Sequence, residues 1–150
     1  MNKSGIVHVI YIAATRNAVW DALTKPELTQ RYWFDTRIES DWNVGSKVLY
    51  RREDRITDEH VVLQVVPGIL LRHTFHPVFT DEYQAEPPSR VTFSLAEDGG
   101  VVRLTTVHDE FPPGSRVFSA CSVGWPMILS GLKTLLETGE TLPKFDFPDR

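Results

Sequence analysis

The sequence predicts an α+β domain in which one long C-terminal helix packs against a curved antiparallel sheet. Three observations carry this. Residues 37–108 hold a succession of β-branched and aromatic runs joined by short turns, and short connections favour an antiparallel meander. The stretch after residue 115 repeats its apolar residues every three or four positions, as a long amphipathic helix does. A strand signal at the N-terminus is followed at once by two short helix signals.

Ile6–Ile12 reads Ile-Val-His-Val-Ile-Tyr-Ile, which is strand composition. Thr15 then stands as a helix cap, and residues 16–24 place Val19, Trp20 and Leu23 on one side. Lys25-Pro26 ends that helix, because a residue before proline avoids the helical region. A second short helix is expected over 26–30, with Pro26 in its first turn. Strands follow at 44–52, 60–66, 69–75, 90–95 and 101–108, with a weaker one at 37–41. Pro67-Gly68 and Glu97-Asp98-Gly99-Gly100 supply turns between them. After Pro112-Pro113-Gly114, Ser115 caps a helix carrying Phe118, Cys121, Ser122, Trp125, Ile128, Leu129, Leu132, Leu135 and Leu136, and Gly139 sits where a C-cap belongs. Pro126, inside that run, should kink the helix or start a second segment.

The 150 residues are about one domain's worth, and no repeat or linker-like stretch divides them. At 41% hydrophobic and 24% charged, the chain has globular composition, which excludes a disordered or fibrous one. Sixteen Lys and Arg against twenty Asp and Glu give a net charge of −4, with no basic run, which argues against nucleic acid as a partner. No stretch reaches the roughly 20 apolar residues of a membrane span. Met1-Asn2-Lys3-Ser4-Gly5 has no apolar leader core, so a cytoplasmic protein is expected.

Strand alternation gives candidates for a pocket lining. Val48, Tyr50 and Arg52 share one face; Leu71, His73 and Phe75 another; Val91, Phe93 and Leu95 a third; Leu104, Thr106 and His108 a fourth. From the helix side come Phe118, Ser122 and Trp125, and Trp33 stands between the second helix and the first sheet strand. His73 and His108 read either as core histidines, each held by one hydrogen bond, or as a general base. Arg52 reads either as a solvated sheet-edge residue or as an anion anchor. Residues 30–35 and 77–89 are candidate gates. Asp81, Glu82 and Glu86 look solvated, and Glu53, Asp54, Asp58 and Glu59 look like a hairpin tip.

No metal or cofactor is expected. His73 and His76 fall on opposite strand faces, and His60, His108 and the single Cys121 are isolated in sequence. There is no glycine-rich phosphate loop and no G-x-S-x-G elbow. Cys121 lies on an apolar stripe, the setting of a packing thiol rather than a nucleophile.

The order of elements resembles the START-like (SRPBCC) helix-grip superfamily. Tyr11-Ile12-Ala13-Ala14-Thr15 with Val19-Trp20-Asp21-Ala22-Leu23-Thr24, Trp33-Phe34, Trp42-Asn43-Val44-Gly45, Thr105-Thr106-Val107-His108-Asp109-Glu110-Phe111 and the run from Gly124-Trp125-Pro126 to Gly139 are similar to its branch of homologues of the activator of the heat-shock-protein-90 ATPase. The resemblance implies a deep cavity between long helix and sheet, holding an apolar or amphipathic small molecule. It also implies two alternatives: a cyclase or hydrolase using a polar pair such as His73 or His108 with Arg52 or Tyr50, and a co-chaperone-like contact with a heat-shock ATPase. Outward-facing Val61, Leu63 and Val65, if uncovered, would favour a homodimer.

Overall fold

A computed structural model describes residues 5–144. The N-terminal strand β1 (Ile6–Ile12) leads into α1 (Arg16–Thr24), whose first turn is held by the Thr15 hydroxyl accepting from the Ala18 N–H at 3.1 Å. Lys25 stops α1, and Pro26 opens α2 (Pro26–Tyr32), two residues longer than its sequence signal. Next come β2 (Arg37–Glu39), β3 (Lys47–Arg52), β4 (Arg55–Val66) and β5 (Leu70–Phe75). A short helix α3 (Asp81–Ala85) interrupts what reads as a plain loop, capped by the Thr80 hydroxyl. The chain then forms β6 (Ser89–Asp98), β7 (Val101–Asp109) and α4 (Arg116–Thr138).

The seven strands form one antiparallel sheet in the order β1-β7-β6-β5-β4-β3-β2. One face is covered by α1, α2 and α4, and the core lies between. Alternation holds where it was expected. Leu71, His73 and Phe75 are buried, as are Val91, Phe93 and Leu95, and Leu104, Thr106 and His108. In α4 the buried stripe is Val117, Ala120, Cys121, Gly124, Trp125, Ile128, Leu129, Leu132 and Leu135. The helix runs unbroken through Pro126, which is exposed, so no second segment starts there.

β4 departs most from its sequence signal. It begins at Arg55, so only Glu53 and Asp54 form the hairpin tip. Two bulges bend it. Tyr50 pairs with Asp58 but Arg51 pairs with Ile56, which leaves Thr57 as an extra residue. Val62 pairs with His73 and Gln64 with Arg72, so Leu63 is a second extra residue. A bulge switches the face on which later side chains point. Val61 and Leu63 are therefore exposed as expected, whereas Val65 turns to pack against the core opposite Leu71.

No described helix is long and apolar enough to cross a membrane.

Candidate ligand cavity

Trp33 is delivered to the centre of the core by the end of α2. Phe34 and Asp35 both take left-handed backbone angles (φ 51° and 57°), turning the chain back toward β2 directly after it. Trp33 is 5% exposed and lies edge-on to Tyr50, Phe93 and Trp125 at centroid separations of 5.6, 6.5 and 5.6 Å. Phe93 and Trp125 are themselves 5.8 Å apart. These rings fill most of the space between α4 and the sheet. What remains is a cavity of about 80 Å³, toward the N-terminal half of α4. A single water needs roughly 10–15 Å³ and an apolar cavity of about 150 Å³ takes benzene, so the space sets an upper bound of one small ring, well short of the large ligand that a deep helix-grip cavity implies.

The walls are Trp33, Phe34, Tyr50, Phe75, Phe79, Tyr83 and Trp125 with Val117, Ala120, Cys121 and Ile128 of α4. The polar groups are few: Thr36, Arg52, Thr57 and Asp58. Both candidate gates border the cavity, through Trp33 and Phe34 on one side and Pro77, Phe79 and Tyr83 on the other. The Cys121 thiol is pushed up by burial, which suits packing and not nucleophilic attack.

Five of the eleven sequence candidates line the cavity: Trp33, Tyr50, Arg52, Phe75 and Trp125. Phe93, His73, Thr106 and His108 are buried in the core without lining it. His108 is fully satisfied. The Trp125 indole N–H donates to its Nδ1 at 3.0 Å, which leaves the proton on Nε2, and Nε2 donates to the Ser89 hydroxyl at 2.7 Å. His73 donates from Nδ1 to the Thr74 carbonyl at 2.6 Å. Burial lowers His108 to about 3 and His73 to about 4, so both rings are neutral near pH 7. Among the described residues the hydrogen bonds of these two rings go to Thr74, Ser89 and Trp125, not to Arg52 or Tyr50. Phe118 and Ser122 are corrections. Phe118 is half-buried against Phe111 at 5.1 Å, and Ser122 is exposed, returning its hydroxyl to the Phe118 carbonyl at 2.8 Å. The stripe that faces the sheet passes beside them, through Val117 and Cys121.

Asp58 is the residue that the sequence reading missed. It is 6% exposed and lines the cavity, because the Thr57 bulge turns both side chains inward. Thr57 donates its hydroxyl to Asp58 Oδ1 at 2.7 Å. Burial raises the Asp58 carboxyl to about 7, against smaller opposing effects from Thr57 and Arg52. Its Oδ2 lies 3.6 Å from His60 Nε2. Burial pushes His60 well down, so the ring is neutral near pH 7 and this contact is not a salt bridge.

His60, expected to stand alone, stacks on His73 at 5.1 Å and on Phe75 at 4.7 Å. Stacked rings point their nitrogens outward in their own planes and not at a shared point. Among the described residues no group of three His, Cys, Asp or Glu side chains is placed to hold a metal ion.

Comparison with known proteins follows this geometry. A family model described as Activator of Hsp90 ATPase homolog 1-like protein matches residues 13–137. The chain belongs to that family. Solved structures share the architecture at low identity. The Aha1 dimer from Colwellia psychrerythraea superposes with a TM-score of 0.73 at 20% identity, covering 91% of this chain and 98% of that one. Protein MLL2253 from Mesorhizobium loti gives 0.75 at 23%, covering 89% and 96%. CalU16 from Micromonospora echinospora gives 0.74 at 22%, covering 94% and 78%. At these identities the likeness is one of fold, the α+β helix-grip architecture. A search of the curated proteins returned no match.

Proposed function

We propose that this protein binds a small, largely apolar molecule, no larger than one aromatic ring, in the cavity beside α4. The observation that supports this reading is the lining itself: rings of Trp33, Tyr50, Phe75 and Trp125 form the walls, and a few polar groups stand among them, Asp58 included. Apolar walls with a small number of placed polar groups are what a small-molecule site requires. The size of the space sets the ligand class, since a sterol or long acyl chain exceeds it without displacement of core aromatics.

Thermal unfolding with single-ring compounds tests the reading. A ligand at a hundred times its dissociation constant stabilises the native state by about 2.7 kcal/mol, and a chain of this length then melts roughly 5–10 °C higher. Ethylbenzene should raise the melting temperature and shift the emission of the buried tryptophans. Ala120→Leu, which puts three more carbons into the cavity wall, should abolish both effects while leaving the fold intact. No shift with any single-ring compound, or an unchanged shift in Ala120→Leu, would remove the proposal.

A further inference from the structure

Asp58 is a carboxyl group set in a wall of aromatic rings, and apolar binding alone does not use it. Among the described residues no Lys or Arg nitrogen comes within 4 Å of it; its contact at that range is with His60. The His76 backbone N–H donates to His60 Nδ1 at 2.8 Å, so the neutral ring carries its hydrogen on Nε2. That Nε2 is fully buried and has no hydrogen-bond partner. A bare carboxylate here would be a buried charge without a cation, which a protein interior strongly disfavours. Burial accordingly raises Asp58, to about 7, so near neutrality the group still has an O–H to give.

Arg52, whose guanidinium can only donate, and Tyr50, whose hydroxyl can donate, line the same space, while the Thr57 and Thr36 hydroxyls already give their hydrogens to Asp58 and to the Phe34 carbonyl. A donor wall calls for an acceptor. An ammonium ligand would meet Arg52. A carboxylate would meet the negative charge that Asp58 takes on as it ionises through about 7. Resting on the ligand-binding reading above, we propose that Asp58 donates its carboxyl proton in a hydrogen bond to an acceptor oxygen of an uncharged ligand, with an aryl ketone as the chemical class.

The probes are acetophenone and α-methylstyrene, which share a shape and differ in having a carbonyl oxygen or a methylene. Benzylamine and benzoate serve as cationic and anionic counterparts. Tryptophan emission at pH 5.5 and 8.5 gives the dissociation constants. The titratable groups acting on Asp58 are Tyr50 and Arg52 on β3, His60 on β4 and Cys121 on α4, with His73 and His76 behind His60. Burial holds Tyr50 and Cys121 in their neutral forms by raising them, and His60 and His73 by lowering them. Arg52 keeps its charge throughout. Any contribution from His76 is separated by Asp58→Asn, which retains an N–H donor but does not titrate.

The preference for acetophenone over α-methylstyrene should fall about tenfold between pH 5.5 and 8.5, the size of one buried hydrogen bond lost. It should stay constant with pH in Asp58→Asn and be absent at both pH values in Asp58→Leu. The inference is overturned if the wild-type preference does not change with pH, if Asp58→Leu keeps it, or if benzylamine or benzoate binds tightest. Binding of both neutral probes without a preference overturns this inference and leaves the ligand-binding reading standing. Binding of neither overturns both.

Discussion

Trp125 reaches further than its size. Its ring walls the cavity, and its indole N–H is the donor that sets the tautomer of His108. The bonds continue from His108 Nε2 to Ser89 and from the Ser89 hydroxyl to the Phe75 carbonyl at 3.4 Å, so α4 is tied through β7 to β6 and β5. Trp125→Phe keeps an aromatic ring but removes the donor and leaves His108 Nδ1 buried without a partner, a loss of about 1–3 kcal/mol. The smaller ring adds a packing loss of order 1 kcal/mol. Urea unfolding should therefore report a variant less stable by about 2–4 kcal/mol. A loss under about 1 kcal/mol would mean that water or a rotated ring replaces the indole. The sequence placed Trp125, His108 and Phe75 on inward faces because strand and helix periods are local properties. It did not show that Trp125 and His108 bond each other across 17 residues, because a hydrogen-bond partner is a property of the assembled fold. Asp58 was illegible for a different reason: its run, Arg55-Ile56-Thr57-Asp58-Glu59, is polar enough to read as a turn, and the bulge that buries it leaves no periodic trace.

The ends of α4 were more legible than its faces. Ser115 accepts from the Phe118 N–H at 2.9 Å, and Gly139 takes the left-handed angle (φ 78°) that ends the helix, as the cap residues announce. The N-terminus carries one more element, which the sequence presented as a solvated acid in a loop. Glu86 accepts from the Ser115 hydroxyl at 2.6 Å and from the Arg116 N–H at 2.7 Å. It thus fixes the α3 connection to the start of the long helix, with its charge at the positive end of the helix dipole. Glu86→Ala should cost about 1–2 kcal/mol, the usual size of a lost cap, and lower the melting temperature by roughly 2–8 °C. Glu86→Gln, which keeps an acceptor but loses the charge, should fall between. Equal melting temperatures for all three proteins would show that Ser115 alone caps the helix. The phase of the helix was legible through Cys121, Trp125, Ile128, Leu129, Leu132 and Leu135, all buried, whereas Phe118, Ser122 and Leu136 fall at the edge of that stripe, where only the packing of α4 over the sheet decides burial.

At the scale of the whole molecule, the buried titratable groups act against each other. His60, His73 and His108 are held neutral in the fold, whereas the unfolded chain protonates histidine near 6.5. Each therefore takes up a proton on unfolding below that pH, and stability declines as the pH falls toward 4 and 3, where His73 and His108 titrate in the native state. Asp58 has the opposite sign. Its native value of about 7 lies above the unfolded 3.8, so it releases a proton on unfolding between those limits, and its contribution is full below 3.8 and lost as the pH rises through 7. Near pH 5 the three histidines bind three protons on unfolding and Asp58 releases one, a net uptake of two. These four groups alone should make stability fall by about 2.7 kcal/mol for each pH unit below 6. Asp58→Asn removes the opposing proton and should steepen the fall to about 4 kcal/mol per unit. Urea midpoints between pH 4.5 and 6, together with proton uptake measured on unfolding, read this directly. A flat profile would mean that the histidines are solvated in the native protein. Parallel profiles for wild type and Asp58→Asn would mean that Asp58 is ionised in the fold, which would also remove the proton that the ligand inference assigns to it.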